Sequence, residues 1–113
     1  MHSALAFALL YAAVGIMFCL ISVPLIKGRI PRNRWYGFRV PKTLRSDAVW
    51  YPVNAYSGKC LYVSGLIIAA GSLLLVPLGF FLSAETIGNV GLMVVIVPVT
   101  WSLVKTFKYL RRF

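Results

Sequence analysis

Residues Lys27 to Lys59 read KGRIPRNRWYGFRVPKTLRSDAVWYPVNAYSGK, a polar stretch in a chain that is otherwise close to continuous hydrocarbon. The stretch carries eight of the twelve Lys and Arg residues, two of the three tryptophans, and Pro31, Pro41 and Pro52. Working outward, Ala4 to Ile26 on one side and Cys60 to Leu82 and Thr86 to Val104 on the other contain no charged residue. At 1.5 Å per residue, runs of this length cross a hydrocarbon core of about 30 Å. The pattern predicts an all-α integral membrane protein. It has three transmembrane helices at about 4–26, 60–82 and 86–104, a long basic loop at 27–59 holding a short interfacial helix, and a basic tail at 105–113.

Composition supports this reading. The chain has 113 residues, 60% of them hydrophobic, and only two acidic residues, with a mean hydropathy of +0.84. A soluble domain of this size leaves too much surface exposed to hide so much apolar area. The length fits a single membrane domain. The net charge of +10 raises the question of nucleic acid, but the basic residues flank apolar spans and no groove-reading module is present. Membrane topology and anionic lipid headgroups account for them, so nucleic acid is not an expected partner. Cys19 and Cys60 have no metal or redox spacing, and the sole histidine, His2, is terminal. No metal, cofactor or catalytic residue is expected.

Orientation follows from the charges. Lys27–Lys59 and the tail from Lys105 together hold all twelve cations, and three spans put both on one side. The positive-inside rule makes that side cytoplasmic and the N-terminus external. The first run is expected to be a retained helix and not a signal peptide, because its positive charges follow the span. Pro24 marks its exit, and Pro77 and Pro98 predict kinks in the later spans. Gly65-x-x-x-Ala69 permits close helix approach. The short link Ser83-Ala84-Glu85 makes the second and third spans an antiparallel hairpin, with Ser83 as helix cap and Glu85 at the positive end of the dipole.

Within the loop, Gly28, Pro31, Gly37 and Pro41 are turn chemistry. Arg32, Arg34 and Arg39 alternate with Trp35, Tyr36 and Phe38. Guanidinium forks match phosphate and carboxylate oxygens and stack on aromatic rings. Two readings stand side by side: a cradle for an anionic headgroup or peptide carboxylate, and a topology anchor without a specific ligand. Ser46 with Asp47 predicts a helix start, and over a segment to about Ser57 the residues Val49, Trp50, Val53 and Tyr56 or Ser57 give it an amphipathic face at the interface. Pro52 predicts that this helix is kinked or starts later. Asp47 is expected to pair with Arg39 or Arg45.

The residues Ile30-Pro31-x-Asn33-Arg34-Trp35-x-Gly37-x-Arg39-x-Pro41-x-Thr43-Leu44, followed by Ser46-Asp47-x-x-Trp50-x-x-x-Asn54-x-x-x-Gly58-Lys59, resemble the signature of the SdpI family of bacterial membrane proteins. Pro52 departs from that pattern, and the chain is little more than the minimal three-helix unit. The resemblance implies a place in the bacterial cytoplasmic membrane. It also implies immunity to a membrane-active toxin peptide, with signalling through retention of a cytoplasmic repressor. The polar positions it marks are Asn33, Arg34, Arg39, Thr43, Asp47, Asn54 and Lys59, to which Arg45 is added as a neighbouring cation. Trp35 and Trp50 are the expected stacking walls. Binding of anionic lipid headgroups or a lipid-linked phosphate is the alternative reading, and a homo-oligomer is compatible with either. A lipid-modifying enzyme is the weakest reading, because Asp47, Glu85 and His2 are the only acid–base candidates.

Overall fold

The computed structural model describes residues 2–113, with side chains from Ala4 onward; the side chain of His2 lies outside the described part. The elements in order are α1 (His2–Ile26), α2 (Pro41–Leu44), α3 (Asp47–Leu73), α4 (Leu75–Leu78) and α5 (Ala84–Leu110). Three stretches, Ala4–Ile26, Asp47–Leu78 and Ala84–Leu110, are long and apolar enough to cross a membrane. The molecule is a rod with extents of 51 × 23 × 19 Å. Its long axis exceeds the hydrocarbon core of about 30 Å, so one end can stand beyond it.

The residues explain the ends of the helices. α1 stops in a Schellman turn. Gly28 takes φ +68°, its N–H bonds to Leu25 O at 3.2 Å, and the Arg29 N–H bonds to Pro24 O at 3.0 Å. α5 starts at Ser83, whose Oγ accepts the Thr86 N–H at 3.2 Å, with Glu85 in the first turn. The expected helical hairpin is therefore present, turning through 79–83. Near Pro77 the second span breaks after Leu73 and resumes as the short α4.

One expectation needs correction. The loop does not extend to Lys59, and the helix expected to start at Ser46–Asp47 is not separate from the second span but is its first part. Residues from Asp47 onward already belong to α3, which runs unbroken through Pro52. Pro52 lacks one donor, but it stands early in the helix. The neighbouring side chains Trp50, Val53 and Asn54 are buried against the rest of the molecule, and this packing holds the turn in place. The irregular segment is thus 27–46, interrupted by the single helical turn of α2.

α1 and α3 make the most extensive contact. They run antiparallel, with Gly15 meeting Gly65 and Ser22 meeting Gly58. A Cβ on Gly65 would lie 2.5 Å from Gly15 O and 2.7 Å from Cys19 Sγ, so the Gly65-x-x-x-Ala69 spacing serves this crossing. α5 packs on the other side of α3, where the buried Ser64 hydroxyl donates to Pro98 O at 2.9 Å. At the end opposite the loop, Ala4, Ala8, Leu75 and Ile87 form a small apolar core with Phe7, Tyr11, Val76 and Val90 around it.

Candidate functional site

Segment 27–46 folds back over the ends of α1, α3 and α5, and buried polar side chains hold it there. Trp50 is fully buried, and its Nε1–H donates to Ile30 O at 2.8 Å. Asn54, 2% exposed, accepts the Phe38 N–H at 2.5 Å and donates to Trp50 O at 3.0 Å. Thr43, also fully buried, accepts the Val40 N–H at 3.0 Å and donates to Phe38 O at 2.8 Å. Each bond to the half-buried segment satisfies one of its backbone groups from a buried side chain, which is what allows an irregular segment to pack so closely.

A second layer shapes the turn. Asn33 Oδ1 accepts the N–H groups of Trp35 and Tyr36 at 2.7 and 2.6 Å, while its amide donates to Pro31 O at 2.8 Å. The Tyr36 hydroxyl donates to Ile21 O, tying the turn to α1. Burial pushes the Tyr36 phenol up from its ordinary value, further from ionisation. Arg39 donates to Arg34 O and to Gly37 O, the latter at 3.4 Å. Lys42 reaches across the end of the bundle and donates to Leu110 O at 3.1 Å, satisfying a carbonyl at the C-terminus of α5. Loop and tail therefore share one end of the rod.

The predicted site residues divide into two groups. Asn33, Thr43, Trp50 and Asn54 form the frame. Trp50, expected as a stacking wall, is enclosed and offers no ring face to a ligand. Arg34, Trp35, Arg39, Arg45, Asp47 and Lys59 are exposed, Trp35 at 88%. Asp47 pairs with Arg32 at 2.8 Å, not with Arg39 or Arg45. Arg39 is turned onto the loop's own carbonyls, whereas Arg32 also bonds Leu44 O at 3.2 Å and lies beside the start of α3. Both members of the pair are largely exposed, so its contribution is at most about 1 kcal/mol.

Beneath the turn lies a cleft of about 280 Å³ lined by Ile21 and Leu25 of α1, Trp35 to Phe38 of the loop, Ser57 and Leu61 of α3, and Val99, Ser102 and Leu103 of α5. Its walls are mostly apolar, and the guanidinium-bearing turn roofs it. The arrangement can take an apolar group into the cleft while an anionic group meets the arginines. Sequence reasoning missed Tyr36, Gly37 and Lys42. Gly37 had a legible signal as a turn glycine, but the partner of Lys42 is 68 residues away and no local pattern indicates it.

A family model described as the SdpI/YfhL protein family matches residues 29–106, from the start of the basic turn to the last turns of α5. No curated protein and no solved structure matches the chain.

Proposed function

Because the chain belongs to the SdpI/YfhL family as a multi-pass membrane protein, we propose that it protects a bacterial cell from a membrane-active toxin peptide, which it meets at the loop. The loop and C-terminus are cytoplasmic and the N-terminus external, in keeping with the placement of all twelve cations. The observation that carries the reading is the pinned turn. Trp50, Asn54 and Thr43 hold it from below, so the turn that carries Arg34 is fixed at both ends and Trp35 lines the apolar cleft. Pre-organisation of this kind lowers the ordering cost of binding. A peptide that partitions into membranes supplies apolar side chains for the cleft and a carboxylate for Arg34. The exposed cations that the toxin leaves free, Arg29, Arg45 and Lys59, would hold a cytoplasmic repressor when the toxin is bound.

The second reading is an anionic lipid headgroup or lipid-linked phosphate at the same loop. It is favoured by the exposure of Arg29, Arg34, Arg45 and Lys59 in a chain with only two acidic residues.

A survival assay separates the two. Sensitive bacterial cells express the chain or its Arg34→Ala/Trp35→Ala variant at matched membrane abundance and are exposed to a toxin of the SDP type. The wild type is expected to protect, and the variant to lose most of that protection. Both side chains are exposed and lie outside the buried frame, so insertion is unaffected. No protection from either protein would overturn immunity to this toxin and move the lipid reading to first place.

A further inference from the structure

The tail of α5 builds a second basic site that is separate from the loop. Lys105, Lys108 and Arg112 recur along one side of the C-terminal turns and, with Tyr56 of α3 and Tyr109, line a depression of about 210 Å³. Its walls are ordered by stacking. The Tyr56 and Tyr109 rings lie parallel within 3°, with centroids 4.3 Å apart, and the Arg112 guanidinium sits 5.3 Å from the Tyr109 ring centroid. Phe113 closes the outer side edge-on to Tyr109 at 5.6 Å.

Three cations converge here with no Asp or Glu side chain to offset them. Of the two acidic residues in the chain, Asp47 is paired with Arg32 and Glu85 lies in the first turn of α5, at its opposite end. The ordinary task of cations at a helix C-terminus is to satisfy the last carbonyls. Lys42 does that for one carbonyl from the loop, at Leu110 O, and the three tail side chains line the depression. Its volume is below the range of about 300–1,000 Å³ typical of drug-sized pockets, and its polar lining suits a small anion.

The geometry points to a phosphate-binding site formed by Lys105, Lys108 and Arg112 against the Tyr56–Tyr109 stack, taking the phosphate of a phospholipid headgroup or a free phosphate. Lysines act as point charges and the arginine fork donates to two phosphate oxygens, while the stacked rings fix the guanidinium in place. The site does not depend on the protective role proposed for the loop.

The test uses the full chain, reconstituted in vesicles of phosphatidylcholine alone or with phosphatidylglycerol added. Native mass spectrometry counts the lipid retained, and thermal unfolding in detergent reads stabilisation by inorganic phosphate. Lys108→Gln/Arg112→Gln is compared with Lys27→Gln/Arg111→Gln, which removes the same charge at this end from residues outside the depression. The site predicts that the tail variant loses roughly tenfold or more in phosphatidylglycerol retention while the control keeps it. Retention of lipid without a phosphate effect identifies the headgroup as the source. A phosphate-dependent shift that the tail variant lacks, without selective lipid retention, identifies free phosphate. Equal retention and equal phosphate response in wild type and tail variant, or equal loss in the control, overturns the site. If the double variant fails to fold, Lys105→Gln is read in the same way.

Discussion

Asn54→Ala is expected to release the loop from the bundle while leaving the three long helices assembled. The Asn54 amide is the pin at which the turn meets α3: its Oδ1 accepts the Phe38 N–H at 2.5 Å, and its Nδ2 donates to Trp50 O at 3.0 Å. Alanine removes the acceptor and leaves the Phe38 amide without a partner in a site where Asn54 itself is 2% exposed. A buried donor left unsatisfied costs about 1–3 kcal/mol, and water can relieve that cost only by entering, which opens the turn. Hydrogen exchange of residues 30–45 in reconstituted protein reads the outcome directly. Exchange at the loop amides should rise by roughly one to two orders of magnitude, the equivalent of that free energy, while the amides of the spans hold. Unchanged loop exchange would mean that Asn54 is not the pin.

Gly37→Val should have the other large effect. Gly37 takes φ +110°, beyond the small left-handed region that an L residue can occupy, so a side chain there strains the backbone by about 1–3 kcal/mol. The space is also occupied. A Cβ would lie 2.6 Å from Asn54 Oδ1 and 3.3 Å from both the Trp50 ring and Leu25. Strain and collision fall on the same pin, so thermal unfolding should shift down markedly and loop exchange should rise as in Asn54→Ala. Gly28 provides the contrast. Its φ of +68° lies near the left-handed helical region, and the nearest atom to a Cβ is Tyr51 Cδ1 at 3.9 Å. Gly28→Asn, a residue that tolerates this conformation, should be nearly silent. Equal effects at the two glycines would contradict the packing described for Gly37.

The spans were legible in the sequence because hydropathy is a sum over many residues, and no single side chain decides it. The ends of the helices were legible where one residue carries the chemistry, as at Gly28 and Ser83. The start of α3 was read correctly at Ser46–Asp47, but its continuation was not. Pro52 argues locally for a break, whereas the burial of Trp50, Val53 and Asn54 on the same turn decides for a continuous helix. The candidate site was legible as a list of positions but not as roles. Asn33, Asn54 and Thr43 read as polar groups available to a ligand, yet each is satisfied by loop backbone. Only the fold separates a buried polar group that fastens a loop from an exposed one that meets a partner. The Lys42–Leu110 bond and the pairing of Asp47 with Arg32 were out of reach for the same reason: both depend on how the loop folds back over the bundle.

Toxin recognition on the exposed face of the pinned turn, as proposed, is tested most directly by photo-crosslinking from that face. Trp35, 88% exposed, is replaced by a photoreactive phenylalanine analogue in cells that express the protein, and the toxin peptide is added before illumination. The account predicts a covalent adduct with the toxin from position 35, and none from the same probe at Phe81, which is 84% exposed at the opposite end of the rod. An adduct from Phe81 alone, or from neither position in cells that survive the toxin, would contradict it.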